Sequence, residues 1–420
     1  MLFNLLLIFC AYLPFQVALN PSAGVDLASS RVFVLLLFFV WLVEGLRRKK
    51  LFIESGKVNF FLASFLFLSL LSIVVSKNSD WSVRKLLFLF SVFPLYFVAA
   101  DLVSSKEQMI KVVRFLVWGG FLVALLGAAQ FAAQFIFGLD ATYKFWANYV
   151  SPIFLGGNVT AAVLKNPSWL VNISGRTYLR AIATFPDPHM LAFFLGMLLP
   201  LALGLFLKLK NKIYLFIFFV LLLTDLLTFS RGGYLGLFAG FAVAIGVLLS
   251  RLKKKHQLGA LILVVCLGSF LIIPGPISER FLSSFNFQEG SNQGRIETWR
   301  KALVVIVDHP LLGVGIGNYP LEISATADYR DPIYAHSNYL DIAAETGIVS
   351  LLAWLGFLGT LFFIFLKKSK EVLFFCVAVS VVISSAHSLV ETSIYSPVVL
   401  SLFLIIAGFS RLANSDEKNS

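Results

Sequence analysis

Charge is what this chain has least of. Lys and Arg number 34 and Asp and Glu 22, so 13% of its 420 residues are charged, about half of the roughly 25% found in soluble domains. That shortage excludes an ordinary soluble enzyme. Cysteine is nearly absent as well. Cys10, Cys266 and Cys376 each fall within an apolar run, without the pair spacing of a disulfide framework or a metal knot. No P-loop pattern is present, so no nucleoside triphosphate is implied as the energy source. No internal repeat relates one half to the other, and the middles of the apolar runs are largely uncharged, which weighs against a secondary transporter.

What is there is grease. Hydrophobic residues make up 59% of the chain, 44 of them Phe, and the mean hydropathy is +0.87. A sequence of this kind needs a solvent as apolar as its side chains, and about 20 such residues cross a bilayer as a helix. Apolar runs between turn and charge boundaries predict an all-α polytopic membrane protein with twelve spans, at 2–18, 32–46, 60–76, 85–103, 112–138, 188–208, 212–229, 231–251, 258–274, 347–366, 371–389 and 394–410. Met1-Leu2-Phe3-Asn4 lacks the positive charge of a signal peptide, so the first span reads as a retained helix. The chain divides into five N-terminal spans (1–138), an outer segment (139–187), spans six to nine (188–274), a large outer loop (275–346), the last three spans (347–410) and a tail (411–420).

Positive charge marks the cytoplasmic side. Arg47-Arg48-Lys49-Lys50 and Lys253-Lys254-Lys255 lie in loops of one set, which places both termini in the cytoplasm and both long segments outside. The net charge of +12 then reads as orientation and contact with anionic membrane lipids, and no nucleic-acid partner is implied. Asn158-Val159-Thr160 and Asn172-Ile173-Ser174 match a glycosylation pattern on the outer side, a signal of low specificity.

Unusual polar residues collect at the predicted outer face: Asp187, His189, Asp225, Arg231, Glu345, His387 and Glu391. Ser230-Arg231-Gly232-Gly233 sits between two spans with almost no loop. Ser230 is a candidate N-cap, the glycine N–H groups suit phosphate oxygens, and Arg231 offers a planar fork for a diphosphate. A tight hairpin with an arginine in the head-group layer is the structural alternative. In the large loop, Ile296, Trp299, Leu303 and Ile306 form an apolar stripe on a helix from Arg295 to Asp308, stopped by Pro310. Gly313-Val314-Gly315-Ile316-Gly317-Asn318 lacks the strand and helix of a dinucleotide motif and reads as a tight turn. Ala335-His336-Ser337-Asn338-Tyr339-Leu340 then leads through Glu345-Thr346-Gly347 into span ten. His336 has the side chain suited to moving protons near neutral pH, and nearby arginines would favour its neutral form. Metal ligation lacks a companion cluster at ligand spacing.

Residues 175–395 resemble the bacterial O-antigen ligase and polymerase membrane proteins. The resemblance rests on Arg180 with Thr184-Phe185-Pro186-Asp187-Pro188, on Ser230-Arg231-Gly232-Gly233, and on Gly294-Arg295 with Trp299 and Ala302. It continues through His309-Pro310-Leu311-Leu312-Gly313-Val314-Gly315 and His336 to Leu340, followed by Glu345-Thr346-Gly347. It implies a metal-independent inverting glycosyltransferase without cofactors in the bacterial inner membrane. The glycan would pass from an undecaprenyl-diphosphate donor to a hydroxyl of a glycan or lipid-linked acceptor. Arg231, Arg295 and His336 carry over as catalytic residues. Arg180, Gly232, Gly233, Glu345, Asn338 and Trp299 are the expected substrate contacts. Glu345 would orient His336 or an acceptor sugar. The competing functions are a polymerase of the same family, a lipid-linked sugar transporter, or a structural membrane subunit. Ser337-Asn338 and Ser350 depart from the family pattern and touch its acceptor contacts more than its chemistry.

Overall fold

A computed structural model describes residues 1–22, 25–49, 56–165, 168–251, 275–283, 290–329 and 333–418. The expected ninth span, 258–274, and Cys266 lie outside the described residues. In chain order the helices begin with α1 Leu2–Tyr12, α2 Ser29–Arg47, α3 Lys57–Leu71, α4 Ser79–Val92, α5 Pro94–Leu102 and α6 Lys106–Phe137. Next come the short α7 Leu139–Phe145, α8 Ser151–Leu155 and α9 Gly157–Lys165, then α10 Pro188–Leu209, α11 Lys212–Leu227 and α12 Arg231–Arg251. The large loop holds α13 Pro276–Ser283, α14 Gly290–Asp308, α15 Tyr319–Ile323 and α16 Asn338–Thr346. The chain finishes with α17 Ile348–Lys367, α18 Val372–His387, α19 Pro397–Gly408 and α20 Ser410–Lys418.

Among the described residues eight helical segments are long and apolar enough to cross a bilayer, and Leu2–Phe15 and Val372–His387 are shorter apolar helices. The expected first span therefore ends early. Beyond Phe15 the helix stops, and from Ala18 the chain runs as a strand, Ala18–Ser22 (β1), that pairs antiparallel with Val25–Ala28 (β2). A second hairpin joins Leu170–Ile173 (β3) to Arg176–Leu179 (β4) through Ser174-Gly175, both at positive φ (49° and 79°). That is the two-residue turn that matches strand twist, and it occupies the second glycosylation-like triplet. Among the described residues the fold is thus mostly helical, with two small hairpins that the apolar pattern did not announce.

Helix boundaries follow local chemistry. Ser105 and Gln108 form a reciprocal capping box at the start of α6. Asp187 caps α10 by accepting from the N–H groups of His189 and Met190, with Pro188 at the first helical position. Pro94 divides the fourth span into α4 and α5. Helix α10 is buried along almost its whole length, while Phe60, Phe67, Phe216, Phe238 and Phe363 stand exposed on outer helices. An apolar rim is the normal surface of a protein solvated by lipid tails.

Because lipid gives little hydrophobic drive between helices, close backbone approach matters more. Gly232, Gly236 and Gly240 line α12 against α18. A Cβ at Gly232 would lie 2.4 Å from His387 Cδ2, one at Gly236 2.8 Å from the Ile383 carbonyl oxygen, and one at Gly240 2.4 Å from Ile383 Cγ1. This stripe sets Arg231, at the top of α12, beside the segment that follows α18. Basic helix ends gather at the opposite end, tied by Lys106–Glu371 (3.0 Å), Arg251 to the Ser369 carbonyl (2.9 Å) and Arg411–Asp101 (2.6 Å).

The Gly313–Asn318 segment is the tight turn expected, with Gly313, Gly315 and Gly317 all at positive φ. It fastens the large loop to the N-terminal half. Asn318 accepts from the Asn78 N–H (2.7 Å) and donates to Ser82 Oγ (2.8 Å), while Ser82 donates to the Ile316 carbonyl (2.6 Å). Helix α14 starts earlier than Arg295 and is rotated from the expected stripe. Ala302, Val305 and Ile306 are buried, whereas Leu303 is exposed with Val304, Val307 and Leu311. The loop core takes one face of this helix and leaves a second apolar face exposed.

Candidate active site

The site is built around a carboxylate in the strap between α18 and α19. Glu391 Oε1 lies 2.8 Å from His336 Nδ1, and Glu391 Oε2 accepts from Arg295 Nη2 at 2.7 Å. His189 Nδ1 is 3.7 Å from the same Oε2 and 2.9 Å from Ser230 Oγ. Ser230 caps α12 by accepting from the Gly233 N–H at 3.1 Å. The next residue, Arg231, donates from Nη1 to Asn292 Oδ1 at 2.6 Å. Asn292 and Arg295 lie three residues apart on α14, hence on neighbouring positions of one helical face. The structure therefore brings Arg231, Arg295 and His336 to one place, through residues on α10, α12, α14 and the strap.

His336 is half-exposed at the rim and precedes Ser337, the N-cap of α16. Its φ of 51° is the left-handed region, uncommon for a residue with a Cβ. Neighbouring bonds impose it. Asn338 Nδ2 donates to Ser388 Oγ (2.8 Å) and Ser393 Oγ (3.1 Å), and its Oδ1 accepts from the N–H groups of Ser393 (2.8 Å) and Ile394 (3.0 Å). Asn338 thus stitches the His336 segment to the strap that carries Glu391.

The Glu391 hydrogen bond raises the His336 pKa above its ordinary value, against burial and the Arg295 charge. This reverses the expectation of arginine-favoured neutral imidazole, because the buried carboxylate is closer. Burial by itself would raise the Glu391 carboxyl, but His189, His336 and Arg295 together hold it below the usual range. Asp187 is pushed up to about 6 by burial and the Glu391 charge, offset by its capping bonds.

The segment from 216 to 355 matches the family model described as O-antigen ligase. Over that stretch, a third of the chain, the sequence is similar to the O-antigen ligase family. A search of curated proteins finds no match. The matched segment contains Arg231, Arg295 and His336. Glu391, His189 and Arg180 lie outside it.

Not every residue expected in the site faces it. Arg180 is buried and donates to three backbone carbonyls: Thr228 (2.7 Å), Ser168 (2.8 Å) and Phe229 (3.2 Å). Arg280 on α13 donates to the same Phe229 carbonyl at 3.3 Å. Two guanidinium groups thereby hold the turn before Ser230, where Phe229 has φ 49°. Burial lowers the Arg180 pKa to about 9. Glu345 does not meet His336. It pairs with Lys85 Nζ (2.6 Å) and accepts from Tyr395 OH (2.8 Å). Gly232 and Gly233 serve the helix contact and the Ser230 cap, and the Trp299 indole N–H is buried with no hydrogen-bond partner among the described residues. Among the described residues no three His, Cys, Asp or Glu side chains are arranged to hold a metal ion.

Proposed function

We propose that this protein is a metal-independent inverting glycosyltransferase of the O-antigen ligase kind, with its site on the outer face of the bacterial inner membrane and both termini in the cytoplasm. The donor is a glycan on undecaprenyl diphosphate and the acceptor is a hydroxyl of another glycan or glycolipid. The observation that carries this reading is the pair of bonds from Glu391 to His336 and Arg295.

An ionised carboxylate only accepts, so the imidazole Nδ1 bonded to it carries the proton. The lone pair of neutral His336 is then on Nε2, the atom free to take the acceptor's hydroxyl proton. As that proton moves to Nε2, the acceptor oxygen bonds to the anomeric carbon from the face opposite the diphosphate. The C–O bond to the diphosphate breaks, and its electron pair leaves on the phosphate oxygen. A single displacement of this kind inverts the anomeric centre. Glu391 stabilises the imidazolium that forms, the division of labour of a nucleophile-free His–carboxylate pair.

Arg231 and Arg295 answer the departing charge. Each guanidinium has five donors, and Arg295 gives one nitrogen to Glu391 while the rest of its fork serves phosphate. Fixed cations beside a low-dielectric boundary stabilise developing charge without reorganising. On the other side of the strap, Tyr334 and Tyr395 stack at 5.9 Å with Lys85 Nζ 3.7 Å from the Tyr395 ring centroid. This platform is our candidate for the acceptor sugar.

Purified protein in vesicles, supplied with lipid-linked donor and acceptor on the outer face, tests the reading. Glycosylated acceptor supports transfer. Movement of the donor across the bilayer with no product supports a transporter instead. A polymerase differs in that its acceptor is itself carrier-linked, so comparing carrier-linked with lipid A–core acceptors separates the two members of the family.

A further inference from the structure

At the end of the bundle opposite Glu391, a cavity of about 260 Å³ opens between α3, α5, α17 and the last helices. Lys57, Lys367 and Arg411 line it with Asn59, Thr360 and Asn414, and among the described residues no carboxylate is in its lining. Arg411 is fixed in the wall by Asp101 (2.6 Å) and the Ala100 carbonyl (3.1 Å). Lys57 and Lys367 have no ion-pair partner among the described residues, unlike Lys106 at the same end, which pairs with Glu371. With Asp101 counted against Arg411, the two lysines leave an uncompensated positive charge around a polar hollow.

The walls also carry Phe97 and Ile364, and the flanking helices present exposed Phe60 and Phe363 outward. A polar, cationic hollow beside bare aromatic and aliphatic surface matches one molecule class, an amphiphile with an anionic head. The volume sets the same limit. Sites that engulf a whole small molecule span roughly 300–1,000 Å³, so this one takes a headgroup and leaves acyl chains in the bilayer.

We propose that this cavity binds the phosphate headgroup of an anionic phospholipid from the leaflet at the basic end. Basic pockets between membrane helices on that side are suited to such headgroups, and low dielectric at the boundary strengthens the attraction. The site shares no residue with the transfer centre and does not depend on the glycosyltransferase reading. Its consequence is mechanical: a lipid phosphate between Lys57 and Lys367 would tie α3 to α17, which carries the large loop on its other end.

Native mass spectrometry of the full-length protein, titrated with phosphatidylglycerol, phosphatidylcholine or inorganic phosphate, tests it. One tightly held phosphatidylglycerol is expected, with apparent affinity falling about tenfold, or roughly 1.4 kcal/mol, in the Lys57→Ser/Lys367→Ser double variant. The Lys57→Arg/Lys367→Arg variant should retain it. Equal phosphatidylglycerol binding by the serine variant, or equal binding of phosphatidylcholine by the natural protein, overturns the proposal. Displacement of phosphatidylglycerol by millimolar inorganic phosphate also overturns it and makes this a free-anion site.

Discussion

Glu391 and His336 are 55 positions apart in sequence and joined by a 2.8 Å contact from Oε1 to Nδ1. That bond raises the His336 pKa above its ordinary 6.5. A base works only when deprotonated, so transfer should climb with pH through a midpoint above 6.5 and level off beyond it. Glu391→Gln keeps the shape and removes the charge. Its midpoint should fall towards the ordinary value, while the plateau drops by about 10²-fold or more as the imidazolium loses its partner. A pH–rate series on both proteins checks the direction of each change.

Arg231→Lys and Arg295→Lys retain positive charge and lose the planar fork. If the forks grip the diphosphate as the bond breaks, each change should lower kcat by about 10²–10³-fold, the range for losing one preorganised donor. Steady-state assays over donor concentration measure it. Transfer at the natural rate by both lysine variants would remove the diphosphate assignment.

Arg180→Ala should act on stability. Two of its three carbonyl partners, Thr228 and Phe229, lie in the buried turn before Ser230, Arg280 still reaches Phe229, and a buried carbonyl left without its donor costs about 1–3 kcal/mol. Thermal unfolding in detergent should show a lower Tm for this variant than for Arg231→Ala.

Gly236→Ala places a methyl group 2.8 Å from the Ile383 carbonyl oxygen, against backbone that cannot rotate away. Separation of α12 from α18 should cost about 1–3 kcal/mol and displace Arg231 from Asn292. Both Tm and transfer should decline, whereas Gly246→Ala, with nothing near its added Cβ, should leave them unchanged.

Tyr395→Leu removes the ring below Lys85 and one member of the stacked pair. An acceptor platform predicts a higher KM for acceptor with the donor KM held. A change in the donor KM alone would move the acceptor elsewhere.

How much of this was legible depended on whether the chemistry was local. Arg231, Arg295 and His336 stood out because charge is rare in so apolar a chain, and Ser230 followed from capping rules. Glu391 was visible as an outer polar residue, but its pairing depends on α18 returning beside α12, which no spacing encodes. Glu345 misled for the opposite reason. Nine residues after His336 in sequence, it lies at the far end of α16 and meets Lys85 from another helix. Arg280 carried no signal beyond its type, and its bond to the Phe229 carbonyl follows only from the tertiary fold. The two hairpins were hidden because four- and five-residue strands look like interruptions between apolar runs, although Ser174-Gly175 carried a turn signal. Leu303 is exposed while its expected stripe partner Ile306 is buried, because a helix with two apolar faces has no single stripe to read.

The most direct test of the central claim is product formation by His336→Ala in vesicles with donor and acceptor on the outer face. The account predicts that transfer falls by about 10²–10⁴-fold and loses its dependence on pH between about 6 and 8, where imidazole titrates. Transfer at the natural rate, with the natural pH profile, would contradict it.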